Sequence, residues 1–145
     1  MGELAMSAIQ VEHYLKRAAD FSYVVLLLRG DASHRYSSAL LAIHAAISYS
    51  DALRIGLGDN KLGRDDHNAA ANALKQILAS SNLSDETGLS HLRYLLSNKS
   101  LVAYGDQRIS AKDFEMVFTK AERFAKWANR IGQEMKIEGW VNDSQ

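Results

Sequence analysis

The chain has 145 residues, 17 Lys and Arg against 17 Asp and Glu, and neither cysteine nor proline. That length suits one domain able to bury about two-thirds of its unfolded surface. Balanced charge excludes a global electrostatic pull on nucleic acid, so any such binding needs a local patch, and the missing cysteines exclude disulfides, thiolate metal sites and a thiol nucleophile.

Apolar residues recur at the 3.6-residue helical period in five segments. The first helix is predicted over residues 7–29, with Val11, Leu15, Ala18, Val25 and Leu28 on its stripe and Gly30 suited to its C-terminal cap. Tyr23, Val24, Leu26 and Leu27 widen that face beyond what one core needs, which predicts a subunit contact and a homodimer through this helix. The second helix is predicted over residues 34–57, after Asp31 or Ser33 as N-cap. Leu40, Leu41, Ile43, Ala46, Ile47, Leu53 and Ile55 make it apolar nearly all round, so it is expected at the centre; Gly56 and Gly58 end it.

A polar loop leads to a third helix, residues 65–80, whose first turn holds Asp65 and Asp66, favourable to the positive end of the helix dipole. The fourth, residues 85–104, opens on Asp85 and Glu86 and turns Leu89, Leu92, Leu95, Leu96, Lys99 and Val102 inward. The fifth, residues 111–131, starts at Ser110 with Asp113 three residues on, a near capping box. After Gly132 the pattern decays, and residues 132–145 are expected as a frayed tail carrying Trp140. No strand pattern, repeat or low-complexity tract interrupts this order. Short links between helices predict an all-α, up-and-down bundle of four to five antiparallel helices. No basic stretch followed by an apolar run opens the chain, and its longest strongly apolar run, Tyr23 to Leu28, is too short to span a bilayer. The expectation is a cytoplasmic protein without membrane contact.

Four polar residues fall on inward stripes: His44, Asp51, His67 and Lys99. Burying such groups costs several kcal/mol unless they satisfy one another. One reading is a buried network, His44 and Asp51 at its heart, that fixes helix register. Another makes Lys99 an anion anchor oriented by Asp51, with His67 titrating near neutrality for proton transfer. A metal site is a third, but no Glu-x-x-His pair supports it, and no metal or cofactor is expected. Simple up-and-down topology places the end of the second helix, the start of the third, the end of the fourth and the start of the fifth at one pole. Arg54, Lys61, Arg64, His67, Lys99, Tyr104 and Arg108 would then make one basic end, with Arg54, Arg64 and Arg108 as phosphate contacts.

Weaker patterns read as structure. Gly56, Gly58, Lys61 and Gly63 imitate a phosphate loop, yet they follow a helix instead of a strand. Ser48, His44 and Asp51 lack the turn that supplies an oxyanion site, so a hydrolase triad is rejected. His13, His34 and His91 read as solvated surface residues.

The segments Ala42–Leu53 with Gly63–His67, Leu95–Asp106 and Ala121–Ala128 resemble the HEPN-domain family (the higher-eukaryote and prokaryote nucleotide-binding helical domain), in helix order over nearly the whole chain. The resemblance implies a four- or five-helix bundle, usually a homodimer. It further implies either a metal-independent ribonuclease of toxin–antitoxin or defence systems, or an inactive binding module, for example the partner of a nucleotidyltransferase. Active members carry Arg, four to six residues, then His; the matching stretch here runs from Lys99 to Tyr104. Lysine can hold a phosphate without the bidentate fork of arginine, and tyrosine, with a pKa near 10, is a poor general base at neutral pH. Arg29 and His34 have the right spacing but straddle the first inter-helix turn. The favoured expectation is a nucleotide- or RNA-associated binding module. The alternative is a ribonuclease using Lys99, His67 and Tyr104, in which the ribose 2′-hydroxyl attacks the adjacent phosphorus and basic side chains stabilise the developing charge.

Overall fold

The computed structural model describes residues 2–60, 62 and 67–141, the side chains of residues 3–5, 67 and 68 excepted. These residues form an all-α bundle: α1 (Glu3–Leu28), a 3-10 turn (Ala32–His34), α2 (Arg35–Gly56), α3 (His67–Ser80), α4 (Leu89–Tyr104) and α5 (Ala111–Glu134). No strand occurs among the described residues, and no helix among them is long and apolar enough to cross a membrane.

Three of these helices close in the same way. At the end of α2, Gly58 N–H donates to Ile55 and Asp59 N–H to Arg54, with Gly58 at φ 100°. At the end of α3, Asn82 N–H donates to Ala79 and Leu83 N–H to Leu78, with Asn82 at φ 62°. At the end of α5, Lys136 N–H donates to Gln133 and Ile137 N–H to Gly132, with Lys136 at φ 50°. This paired bonding uses carbonyls that the last helical turn leaves without partners.

The starts are equally local. Asp31 accepts from Ser33 N–H at 2.9 Å and sets the turn before α2. Ser110 accepts from Asp113 N–H at 3.1 Å and caps α5, as the capping pattern predicts. α4, in contrast, begins at Leu89 and not near residue 85. The Asp85 carboxylate accepts from Thr87 N–H at 3.1 Å and from its hydroxyl at 2.7 Å, and Arg130 donates to it at 2.7 Å. Those bonds hold a non-helical turn where the sequence suggested a helical one.

α2 is central, and Ala39, Ala42, Ile43, Ala46, Ala52 and Leu53 are buried along it. α4 runs antiparallel to α5: Lys120 stands over the Tyr94 ring, a side chain at Gly88 would overlap Trp127, and Asp85 meets Arg130. α2 runs parallel to α5: Tyr36 packs edge-on against Phe114 at 4.9 Å, and Gly56 abuts Ile137. The end of α2 therefore lies with the start of α4 and the end of α5, opposite the end of α4 and the start of α5. The single pole expected from simple alternation does not form. α4 therefore begins at the pole where α2 ends, with the short α3 between them in the chain.

The expected frayed tail is also corrected. Ile137 is buried at 8% exposure, the Trp140 indole N–H donates to Asn129 at 3.1 Å, and that ring lies where a Gly132 side chain would be. Gly139, at φ 89°, lies so close to the Ala8 backbone that no side chain fits. Residues 135–141 are thus a clasp joining α1, α2 and α5. Gly132 lies inside α5 as the seat for Trp140, and it does not stop the helix.

Candidate functional site

The sequence-derived site residues divide between the two ends of the bundle. Arg54, expected to contact phosphate, is only 2% exposed, and its Nε donates to Asp59 Oδ2 at 2.7 Å, with Asp59 itself 10% exposed. That is a correction: this guanidinium serves the closure of α2 inside the protein. Tyr104 is 87% exposed, and Arg108 is exposed in the following loop, both at the opposite pole. Lys99 is half-buried on α4. His44 and Asp51 are half-buried on α2, with the His44 ring edge-on to Phe21 at 6.3 Å. Arg64 and Lys61 lie outside the described residues, as does the side chain of His67, whose backbone opens α3. Among the described residues, no three His, Asp or Glu side chains converge as a metal site would require.

Of the histidines expected at the surface, His13 is exposed beside Arg17 and His34 is exposed with its Nδ1 2.9 Å from Asp31. His91 differs. It is half-buried with Nδ1 lacking a partner among the described residues. Burial first, then the charges of Lys120 and Arg123, hold its pKa below the ordinary value. It stays neutral to lower pH than a solvated histidine.

An open concave feature lies elsewhere. α1 packs along α2 but diverges from α5, leaving an open cleft of about 750 Å³ between the three helices. Its floor is small and apolar: Ala42, Ala45 and Ala46 from α2, Ala121 and Ala125 from α5. Alanine reaches no farther than its own methyl group, so these five positions leave the space between the backbones unfilled. Val25 and Phe118 complete the apolar walls, and Leu26, 72% exposed, forms one lip.

The polar groups of the cleft are unevenly placed. The Arg29 guanidinium stands 4.8 Å over the Phe118 ring and is held by Glu122 and by Glu115, the latter at 3.3 Å. A cation over an aromatic face, fixed by two carboxylates, closes this end. Lys126 projects from the rim one helical stretch farther along α5, exposed and without an ion-pair partner among the described residues, beside Asn129, Arg130 and Gln133. Arg130 is committed to Asp85, whose carboxyl the Thr87 hydroxyl and Arg130 hold down to about 2. The sequence carried one trace of this cleft: alanines at helical spacing on two facing stripes, a pattern shared with close packing.

No protein-family model matches the chain, and no match emerges from known characterised proteins or from solved structures.

Proposed function

We propose that the protein is a non-enzymatic helical interaction module of the kind the HEPN resemblance includes, and that it works as a homodimer joined through α1. The observation that carries this reading is the outward row of α1. Tyr23, Leu26 and Leu27 are 62%, 72% and 62% exposed, side by side at helical spacing. Burying a large apolar side chain is worth about 1.5–3 kcal/mol, and two-fold symmetry presents the same three side chains from each subunit. The even charge balance adds no net repulsion between copies. Light scattering over micromolar concentrations is expected to give twice the chain mass. Leu27→Asp is expected to give the monomer with unchanged helicity, because Leu27 contributes nothing to the buried core. A wild-type chain that stays monomeric refutes the reading.

The second reading is RNA binding, with metal-independent cleavage, at the end of α4. It is favoured by Lys99 being half-buried five residues before the largely exposed Tyr104, with Arg108 exposed in the loop that follows. In this reading Lys99 and Arg108 hold phosphate, and Arg54 takes no part. Short single-stranded RNAs test it directly: Lys99→Ala is expected to abolish binding or cleavage. RNA that remains both intact and unbound retires it.

A further inference from the structure

We propose that the cleft between α1, α2 and α5 binds a slender amphipathic anion: an unbranched apolar chain lying on the alanine floor, with a carboxylate head at Lys126. The site adjoins the self-association face at Leu26, which forms one lip of the cleft, and goes beyond that reading.

Shape selects the ligand class. From Phe118 to Gln133 the α5 wall runs about 22 Å at 1.5 Å per residue. A cleft of about 750 Å³ spread over that length has a mean section of about 34 Å². An α-helix with side chains is about 10–12 Å across and needs more than twice that section, so a partner helix cannot lie wholly inside the cleft. An alkyl chain can.

Polarity then orients it. The Phe118 end is blocked by Arg29, whose charge is already matched by Glu115 and Glu122, so it offers no available cation to an anionic head. Lys126 is eight residues farther along α5, about 12 Å, which matches the reach of a medium-length acyl chain. Among the cations lining the cleft, Arg29 and Arg130 have carboxylate partners, whereas Lys126 has no partner among the described residues. The tail therefore lies towards Phe118 and the head at Lys126. Water released from the half-buried Ala121 and Ala125 and from Leu26 at the lip provides the driving force, and the ammonium sets the preference for an anion.

Isothermal titration of the full chain with sodium dodecanoate, kept below its micelle concentration, tests this. The expected result is saturable binding of one dodecanoate per chain. Lys126→Glu, at an exposed position, should weaken it at least tenfold while leaving dodecanol binding within twofold. Ala125→Trp, checked for native helicity, should block both ligands, and hexanoate should bind far more weakly than dodecanoate. Leu27→Asp, which separates this site from the self-association face, should bind dodecanoate as the wild type does. Absence of saturable binding overturns the proposal. So does dodecanoate binding that survives Lys126→Glu, or that disappears with Leu27→Asp.

Discussion

Arg54 offers the sharpest quantitative test of how the bundle is held, because a full positive charge lies at 2% exposure against a carboxylate at 10% exposure. Replacing Arg54 with Met keeps an unbranched apolar stem and removes the charge. Asp59 then stays folded into the end of α2 by its N–H bond to the Arg54 carbonyl, with its guanidinium partner gone. Breaking one side of a buried pair costs about 3–5 kcal/mol, since the remaining ion stays desolvated. For a domain of about 150 residues that corresponds to a fall in Tm of roughly 6–20 °C, a large share of a total stability of about 5–15 kcal/mol. Asp59→Asn alone should also destabilise, by removing the carboxylate charge that the Arg54 Nε faces. The double variant should recover much of the loss, giving a coupling energy above about 1 kcal/mol in urea denaturation. Single variants within about 0.5 kcal/mol of wild type, or strictly additive losses, would refute the reasoning and return Arg54 to the list of available cations.

Four other outcomes follow from particular contacts. Gly88→Ala places a methyl group against Trp127, which is 3% exposed and has no room to swing; overpacking should cost about 1–3 kcal/mol in chemical denaturation. Gly139→Ala drives a side chain into the Ala8 backbone at φ 89°, so the clasp should release, with faster amide exchange at residues 137–141 and a shift in Trp140 fluorescence. Ser110→Ala removes the cap of α5 and should lower stability by about 1 kcal/mol. Asp85 has its folded pKa depressed to about 2 from 3.8, so its contribution is complete above pH 3.8 and is lost as pH falls from there towards 2. Because its side chain is 35% exposed, solvent screening limits that contribution to about 1 kcal/mol. Asp85→Asn should therefore flatten the acid limb of stability between those values, and an unchanged limb would show that the Thr87 and Arg130 bonds are not maintained in solution.

The helices were legible because burial of a helix demands a period, and the period is written in residues such as Leu92, Leu95 and Leu96 or Phe114, Val117 and Phe118. Their ends were less so. Asp85 has the chemistry of a first-turn acid, yet its carboxylate found Thr87 and Arg130, and nothing local distinguishes the two outcomes. Gly132 has the chemistry of a helix stop, but the helix passes through it because Trp140 needs a surface without a side chain. Lys136, an ordinary residue in the left-handed region, closes α5 where no glycine marks the place. Direction was the larger loss. Ten residues between α2 and α3 allow either end of the bundle, so the gathering of Arg54 with Tyr104 and Arg108 was a choice between topologies that composition does not make. Arg54 did carry a signal, an acid five residues on, just past the Gly56 and Gly58 stop, as a local partner for a buried guanidinium.

The cleft shows why the remaining part resists sequence reading. Five alanines on facing helices specify close approach if the backbones meet and an open groove if they diverge, and the same letters serve both. The group that spans the gap is Arg29, which stands on Phe118 and is held by Glu115 and Glu122. In the sequence it is only the last charged residue before a glycine. Its role depends on two acids 86 and 93 positions away, a separation that no periodicity reports. Removing the wedge tests the account: Arg29→Ala should let α1 settle towards α5, shrinking the cleft and lowering the affinity for dodecanoate without any change at Lys126. Unchanged dodecanoate affinity in that variant would mean that packing of α1 on α2 alone sets the gap.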